Sequence, residues 1–385
     1  MKLINVIKPT HVCNLACTYC YNDDVRRPYM DRETLFRITE QTFLLADKVG
    51  SYESVEFIWH GGEPLLAPLS FYKMAVNFQE TLSRGIPYTN IIQTNGTLLS
   101  NKHIDFFKMH AFKVSLSIDG IETAHNANRI DEKGIGSFSR VMKGVDKLER
   151  NGMKPGSVLV LNKRNKDTLE DSYRFFAARK MGFNIIPLMK SGSANAVFDE
   201  IALTQDEYVE AWTSLYYKWI CAPETEYVGV SNFLHITRSV ISGSCSSCTG
   251  MAQCGIANLA TDPVGDIYPC ASLTGNKDIC YGNINKTDLS ALFLSETALK
   301  WRNRRSTLSC THCKWFHLCH GGCPSRSYHF NNGDYTVSDF YCDSIHRIYE
   351  HVEAKLLEAG IPAGERKTDH LKDGFVNLDK MLMRK

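Results

Sequence analysis

The first half of the chain alternates between short apolar runs and longer stretches in which apolar residues recur every three or four positions. The short runs are rich in Val, Ile and Phe and end at Gly, Asn or Pro, which is typical of buried β-strands. They predict six strands, over residues 3–10, 55–61, 88–96, 112–120, 155–162 and 183–189. The periodic stretches predict helices over residues 31–49, 70–83, 100–110, 137–151 and 167–180.

Strands that alternate with helices indicate parallel βα units, which form either a (β/α) barrel or an open doubly wound sheet. In both architectures, ligands bind at the carboxyl ends of the strands. Polar tracts follow the first four predicted strands, at residues 13–20, 61–64, 93–96 and 117–120. We therefore expect these four tracts to form one active-site rim.

The second half of the chain has a different pattern. Residues 204–243 look helical and predict a bridge, and residues 244–345 break into short segments with many Cys and Gly. Residues 343–358 predict a closing amphipathic helix, and the charged segment that follows predicts a mobile tail. We therefore divide the chain into an α/β domain (1–203), the bridge (204–243), a cysteine-rich domain (244–345) and a C-terminal helix and tail (346–385).

Composition excludes several classes of function. The chain has 44 Lys and Arg against 42 Asp and Glu, a net charge of +2, so it lacks the basic surface that nucleic acid or an anionic membrane requires. No apolar run is long enough to span a membrane, and the N-terminus does not resemble a signal peptide. We expect a cytoplasmic monomer that binds neither nucleic acid nor membranes.

The unusual feature of the composition is its cysteine content, because the chain has 14 cysteines. In a reducing compartment, clustered cysteines bind metal more often than they form disulfides. Cys13, Cys17 and Cys20, the three-cysteine loop, follow the first predicted strand in the pattern CxxxCxxC. Three thiolates can hold three irons of a [4Fe–4S] cluster and leave the fourth iron open to a ligand. A zinc site completed by His11 is the alternative.

Eight further cysteines make up two complete sets of four ligands, for which zinc is again the alternative. They are Cys248, Cys254, Cys270, Cys310, Cys313, Cys319, Cys323 and Cys342. Three others remain. Cys221 lies in an apolar helical segment and is expected in the core, Cys245 is a rival ligand three residues before Cys248, and Cys280 has no assigned role.

The three-cysteine loop, with Tyr19 before its last cysteine and Gly-Gly-Glu-Pro after the second strand, resembles the radical SAM superfamily. The resemblance implies a partial (β/α)6 barrel in which the open iron binds S-adenosylmethionine (SAM). Reductive cleavage of SAM then gives a 5′-deoxyadenosyl radical that abstracts hydrogen from a substrate. The cofactor-binding residues that it implies are Tyr19, Gly61, Gly62, Glu63, Asn95, Ser117, Asp119 and Arg129.

The downstream cysteines resemble the SPASM domain, which carries auxiliary clusters, and the whole pattern is most similar to the anaerobic sulfatase-maturating enzymes. The resemblance implies two further [4Fe–4S] clusters, three in all, and a reductant such as flavodoxin or ferredoxin. It assigns Cys248, Cys254, Cys270 and Cys323 to a first auxiliary set. It assigns Cys310, Cys313, Cys319 and Cys342 to a second auxiliary set.

The resemblance also implies a peptide or protein substrate. The sulfatase-maturating family has an aspartate directly after the cysteine of its GxxYPC motif, where this chain has Ala271, and Asp266 is the nearest carboxylate upstream. A carboxylate suits the proton transfer that aldehyde formation needs. We therefore expect the enzyme to form a cross-link or another oxidised product rather than formylglycine. The alternative functions are a radical dehydrogenase that acts on a small molecule, an electron carrier, and a binding protein stabilised by zinc. Because no peptide-binding domain precedes residue 3, we expect the barrel, the bridge or a separate protein to recognise a substrate leader.

Overall fold

The computed structural model describes residues 1–22, 28–252, 254–304 and 309–364. Its strands are β1 (Lys2–Ile7), β2 (Ser54–Trp59), β3 (Tyr88–Thr94), β4 (Lys113–Ser117), β5 (Gly156–Leu161), β6 (Phe183–Pro187), β7 (Asn258–Thr261), β8 (Asp266–Tyr268) and β9 (Gly282–Asn283). Its longer helices are α1 (Arg32–Val49), α2 (Leu69–Leu82), α3 (Asn101–Met109), α4 (Glu122–Asn126), α5 (Phe138–Arg150), α6 (Leu169–Ala178), α7 (Ala194–Ile201), α8 (Gln205–Ile220) and α9 (Ser231–Ser242). The C-terminal helices are α10 (Leu289–Phe293), α11 (Glu296–Arg302), α12 (Phe316–Cys319), α13 (Pro324–Phe330) and α14 (Cys342–Glu358). Residues 365–385 of the predicted tail lie outside the described residues.

The strands form one sheet in the order β6-β5-β4-β3-β2-β1-β7-β8-β9. All pairs from β6 to β7 are parallel, and the last two pairs are antiparallel. This arrangement confirms the α/β prediction and its six strands. The order runs from β6 at one edge to β9 at the other, as in a partial barrel.

The three additional strands come from the cysteine-rich domain and were not predicted from the sequence. β7 pairs with β1 in parallel, from Ile4↔Asn258 to Ile7↔Thr261. Each of β7, β8 and β9 has four residues or fewer, too few to show a hydrophobic period. The cysteine-rich domain therefore continues the sheet of the barrel.

Local signals explain where the first helix begins and ends. The Asp31 carboxylate accepts a hydrogen bond from the backbone N–H of Thr34, 2.7 Å away, and caps α1. Gly50 ends the same helix in the left-handed conformation, with φ of 68°. The helix packs its apolar face on β2, where Val55, Phe57 and Trp59 are fully buried.

The predicted bridge contains α8 and α9, and α14 packs against both. The expectation that Cys221 lies in the core is wrong, because α8 ends at this residue and leaves its side chain exposed. Among the described residues, the structure has no helix with the length and apolar character needed to cross a membrane.

Candidate active site

The three-cysteine loop follows β1 and is fastened to the Gly-Gly-Glu segment that follows β2. The N–H of Gly62 donates to the carbonyl of Thr10 over 3.0 Å, and the N–H of Glu63 donates to that of Val12 over 2.8 Å. A Cβ atom on Gly62 would lie only 2.2 Å from the Val12 carbonyl oxygen, so only glycine fits this close approach. The backbone that leads into the first polar tract is therefore held against the second tract.

Glu63 is fully buried, and its carboxylate ties together the ends of β2 and β3. It accepts hydrogen bonds from the N–H of Leu65 (2.9 Å), the hydroxyl of Thr94 (2.6 Å) and the N–H of Asn95 (2.8 Å). Burial raises its pKa to about 7, although the three hydrogen bonds oppose this shift. A bound ammonium group would stabilise the charged carboxylate here.

Asn95 links this carboxylate to the three-cysteine loop. Its side-chain amide donates to the Oδ1 atom of Asn14 over 2.9 Å, and it lies 3.9 Å from the sulfur of Cys13. Ser117, by contrast, accepts a hydrogen bond from Gln93 over 3.1 Å. Among the described residues, no side-chain hydrogen bond or ion pair joins Ser117 to another predicted site residue.

Asp119, Arg129 and Tyr19 form a buried group beside Cys17. The guanidinium of Arg129 donates to the Asp119 carboxylate over 3.0 Å and lies 5.3 Å from the centre of the Tyr19 ring. The Tyr19 hydroxyl donates to the same carboxylate, which also accepts the N–H of Val160 over 3.1 Å. Asp119 is thus occupied by three donors and holds the loop in place.

The donors of the three-cysteine loop suit an iron–sulfur cluster. Burial raises the thiol pKa of Cys13 to about 11 and that of Cys17 to about 12, so the thiolates need metal to be stable. Each cysteine of a cubane binds a different iron, which three thiolates on one short loop can do.

The downstream cysteines group spatially in the two sets that the resemblance implies. Burial, and then the charges of Cys270 and Cys323, raise the pKa of Cys248 to about 12, and Cys254 is affected by the same neighbours. In the second auxiliary set, burial raises the pKa of Cys319 to about 12, and its cysteine neighbours are Cys342, Cys310 and Cys313. Among the groups that shift its pKa, each of these three cysteines has cysteines of its own set only.

The rival cysteine Cys245 lies near Cys319, since a Cβ atom on Gly250 would be 2.9 Å from the Cys245 sulfur and 3.4 Å from the Cα atom of Cys319. Burial raises the pKa of its thiol, and none of the groups that shift it is another cysteine. Cys280 lies instead near Asp266 and Tyr268, on the β8–β9 side of the sheet. The eleven cluster cysteines that the resemblance implies stay a prediction.

A cavity of about 500 Å³ lies between the barrel and the cysteine-rich domain. Tyr19 and Tyr21 of the three-cysteine loop line it on one side, and Cys248, Cys270 and Cys323 line it on another. β6, α8 and α9 supply further walls, including the side chains of Asn184, Trp212 and His235. Sequence reasoning missed these three residues, because they occur singly in segments with no distinctive motif.

Asp266, the carboxylate considered as a base, is not among the residues that line this cavity. It begins β8 and accepts a hydrogen bond from the side chain of Asn283 over 2.7 Å. Ala271 is next to two lining residues, Cys270 and Ser272. Asp266 therefore has a structural position in the β8–β9 pair.

Two family profiles match the chain. The Radical SAM superfamily matches residues 7–176, and SPASM, described as an iron–sulfur cluster-binding domain, matches residues 254–314. Both matches agree with the predicted cofactor classes.

Curated relatives cover most of the chain. The serine-type anaerobic sulfatase-maturating enzyme of Klebsiella aerogenes is 28% identical over 351 residues, 89% of this chain and 83% of the relative. The cysteine-type enzyme of Clostridium novyi is 26% identical over 371 residues, 92% of this chain and 96% of the relative.

A solved structure of native anSMEcpe with bound AdoMet shares the fold, with a TM-score of 0.80, 24% identity and coverage of 93% of this chain and 99% of the other. Streptococcus suis SuiB with bound S-adenosylmethionine has a TM-score of 0.63 at 18% identity, covering 88% and 77% of the two chains. The chain therefore carries a radical SAM domain followed by a SPASM domain, and it is homologous to the anaerobic sulfatase-maturating enzymes.

Proposed function

We propose that this radical SAM enzyme oxidises or cross-links a side chain of a peptide or protein. The observation that carries the proposal is the shared cavity, which is lined by Tyr19, between the loop cysteines, and by three of the four cysteines of the first auxiliary set. A side chain in this cavity lies between the site of hydrogen abstraction and a group that can accept an electron. The known relatives support a peptide, since anSMEcpe was solved with Kp18Cys peptide and SuiB with its precursor peptide SuiA.

The residues that would hold the cofactors follow from the geometry described above. Cys13, Cys17 and Cys20 would bind the catalytic cluster, and the two auxiliary sets would each bind a fully ligated [4Fe–4S] cluster. Bound SAM supplies the hydrogen-abstracting radical. Glu63 would bind the ammonium group of its methionine moiety, because a buried carboxylate binds a cation more strongly than a neutral acceptor does.

The test is to incubate the reconstituted enzyme with SAM, a reductant and synthetic peptides that each carry a single Cys, Ser, Thr or Tyr. We expect 5′-deoxyadenosine to form together with a peptide that has lost two hydrogens, both measured by mass spectrometry. SAM cleavage that no peptide stimulates, with no peptide changed, would contradict the proposal.

Maturation of a sulfatase is the second candidate, favoured by relatives that cover about nine-tenths of the chain. Ala271 argues against it, because alanine cannot take the substrate proton as a carboxylate can. A peptide with a sulfatase motif distinguishes the two candidates. Aldehyde formation at the rate of SAM cleavage would establish the maturase, and another residue would then replace the missing base.

A further inference from the structure

Strand β6 is at one end of the sheet, and its open edge lies on the cavity wall. It pairs with β5 on one side, and on the other side a single bridge joins Phe183 to Val230. Six consecutive residues, 184–189, line the cavity. Because the side chains of a strand alternate between its two faces, a wall of consecutive residues presents the edge of the strand rather than one face. Such an edge carries backbone groups with which a further strand can pair.

The hydrogen bonds of β6 show which backbone groups point to this edge. The N–H of Phe183 donates to the carbonyl of Gly229 over 3.0 Å, and the N–H of Ile185 donates to the Oδ1 atom of Asn232 over 3.3 Å. Both bonds lead away from β5. Since these directions alternate along a strand, the carbonyls of Ile185 and Pro187 also point to the edge. Among the described residues, no donor outside the β5–β6 ladder reaches either carbonyl.

Pro187 suits an edge position because it has no N–H that a neighbouring strand would need. The edge therefore offers acceptors at two alternate residues, Ile185 and Pro187. Their carbonyls are about 7 Å apart, since a strand rises by about 3.3 Å per residue. The N–H groups of residues i and i+2 of an extended peptide have the same spacing.

Asn232, near the start of α9, adds a donor beside these acceptors, and it also lines the cavity. Because its Oδ1 atom accepts the N–H of Ile185, the orientation of its carboxamide is fixed. Its Nδ2 group makes no hydrogen bond with the described residues and keeps accessible surface. The edge thus offers both acceptors and a donor, which is what the backbone of a peptide requires.

The rest of the wall favours an uncharged ligand. Among the described residues that line it, there is no Asp, Glu or Lys. Arg326 lines the cavity, but the Asp339 carboxylate holds its guanidinium over 2.9 Å. Ile186, Leu188 and Met189 make the surface beside the edge apolar. The neutral amides of a peptide main chain therefore match this wall better than a charged group does.

We propose that the peptide substrate binds in an extended conformation, as a tenth strand next to β6. The N–H groups of two alternate residues donate to the carbonyls of Ile185 and Pro187, and a peptide carbonyl accepts the Nδ2 group of Asn232. This inference rests on the proposed function, because its ligand is the peptide of that function. Side chains of an added strand alternate between the faces of the sheet, so every second side chain points into the barrel.

The first experiment replaces single amides of a peptide with esters, which removes one N–H and keeps every side chain. The probe is the synthetic peptide with a single Cys, Ser, Thr or Tyr that binds wild type most tightly, and the dissociation constant is measured for each ester analogue. We expect affinity to fall about tenfold for esters at two positions two residues apart, and less than about twofold for the ester between them. Equal losses at all three positions, or no loss at any, would overturn the inference.

The second experiment removes the donor of the enzyme. Asn232→Asp keeps an oxygen for the N–H of Ile185, and an acidic side chain is favourable in the first turn of a helix. We expect the same peptide to bind at least about tenfold more weakly, with unchanged iron content and unchanged SAM cleavage in the absence of peptide. Asn101→Asp is the matched control and should equal wild type, because Asn101 begins α3 and lies outside the cavity wall.

Wild-type affinity in Asn232→Asp would overturn the role of this side chain. Loss of iron or of SAM cleavage without peptide would overturn it too, since Asn232 would then be structural. The ester analogues test the two carbonyls on wild type and do not depend on the variant.

A failure of the proposed function has a different signature. A peptide that shows the alternating losses but is never modified would support the edge site and refute oxidation or cross-linking. A peptide that is modified without the alternating losses would refute the edge site alone. If no peptide of the set binds, the peptide substrate and the edge site are both wrong.

Discussion

Each half of the molecule holds a buried arginine–aspartate pair next to a proposed cluster cysteine, but the two pairs have different surroundings. In the barrel, Arg129 pairs with Asp119, lies over Tyr19 and acts electrostatically on Cys17. In the cysteine-rich domain, Arg326 pairs with Asp339, lies 5.6 Å from the centre of the Tyr341 ring and acts on Cys323.

The barrel and the cysteine-rich domain also differ in the length of their strands and in the elements between them. The barrel strands β1 to β6 have five to seven residues each, and the apolar core beneath their helices continues into the cysteine-rich domain. The cysteine-rich strands have two to four residues, and turns and single-turn helices separate them. The comparison indicates that hydrophobic burial stabilises the barrel, whereas the cysteine-rich domain depends on its clusters as well.

The largest effect is expected from removing the three-cysteine loop. Replacing Cys13, Cys17 and Cys20 with Ala should abolish SAM cleavage yet leave about two-thirds of the iron, because eight of about twelve irons belong to the auxiliary sets. Cys245→Ala is the control and should retain both iron and cleavage. Residual SAM cleavage in the triple variant would contradict the assignment, and loss of all iron would show that the auxiliary sets do not fold independently.

Removal of all clusters should lower the stability of the cysteine-rich domain more than that of the barrel. Structural metal sites can contribute on the order of 10 kcal/mol to folding, so chelation should unfold residues 244–345 before the barrel. Limited proteolysis followed by mass spectrometry should find the first cuts of the apo protein within this range. If the cysteine-rich domain of the apo protein resists protease, it folds without its clusters and the prediction is wrong.

The two ion pairs allow a matched pair of variants. Arg326→Met and Arg129→Met each leave a buried carboxylate without its partner, and each should cost about 3–5 kcal/mol of the free energy of unfolding. The accompanying losses should differ, since Arg326→Met should lower the iron content of the auxiliary sets and Arg129→Met should mainly impair SAM cleavage. Denaturant unfolding with iron analysis checks both, and identical patterns of loss would refute the division of roles.

A smaller effect is confined to the barrel and depends on pH. Burial, followed by the charge of Arg129, lowers the pKa of His125 to about 2, and its Nε2 atom lies 2.9 Å from the Ser137 hydroxyl. Because the folded pKa is below the unfolded value, the stabilisation is present above pH 6.5 and is lost as the pH falls. Between pH 7 and pH 5 the loss should be about 2 kcal/mol. The free energy of unfolding, measured in urea, should fall less between pH 7 and pH 5 in His125→Gln than in wild type. An equal pH dependence in the variant and in wild type would contradict this prediction.

The same contrast explains how much could be predicted from the sequence. Periodicity predicted all six barrel strands to within a few residues, because each is long enough to show its pattern. It missed β7, which pairs with β1 through contacts more than 250 residues apart in the chain. Cysteine spacing indicated eight downstream ligands without any knowledge of the strands that carry them, and the resemblance to the SPASM domain divided them into two sets.

The candidate site was predictable where residues occur in motifs and not where they occur singly. Glu63 follows two glycines after a strand, and the structure places it near Cys13 through Asn95. His235 and Asn184 lie on different elements and meet only at the cavity wall. Cys221 was misplaced because an apolar segment does not show which residue ends its helix.

The central claim is that the barrel holds one open cluster and the cysteine-rich domain holds two closed ones. Iron and acid-labile sulfide, measured per chain on the reconstituted wild-type protein, test it most directly. The account predicts about twelve of each, as three four-iron clusters require. About four of each, with zinc in the remaining sites, would contradict it.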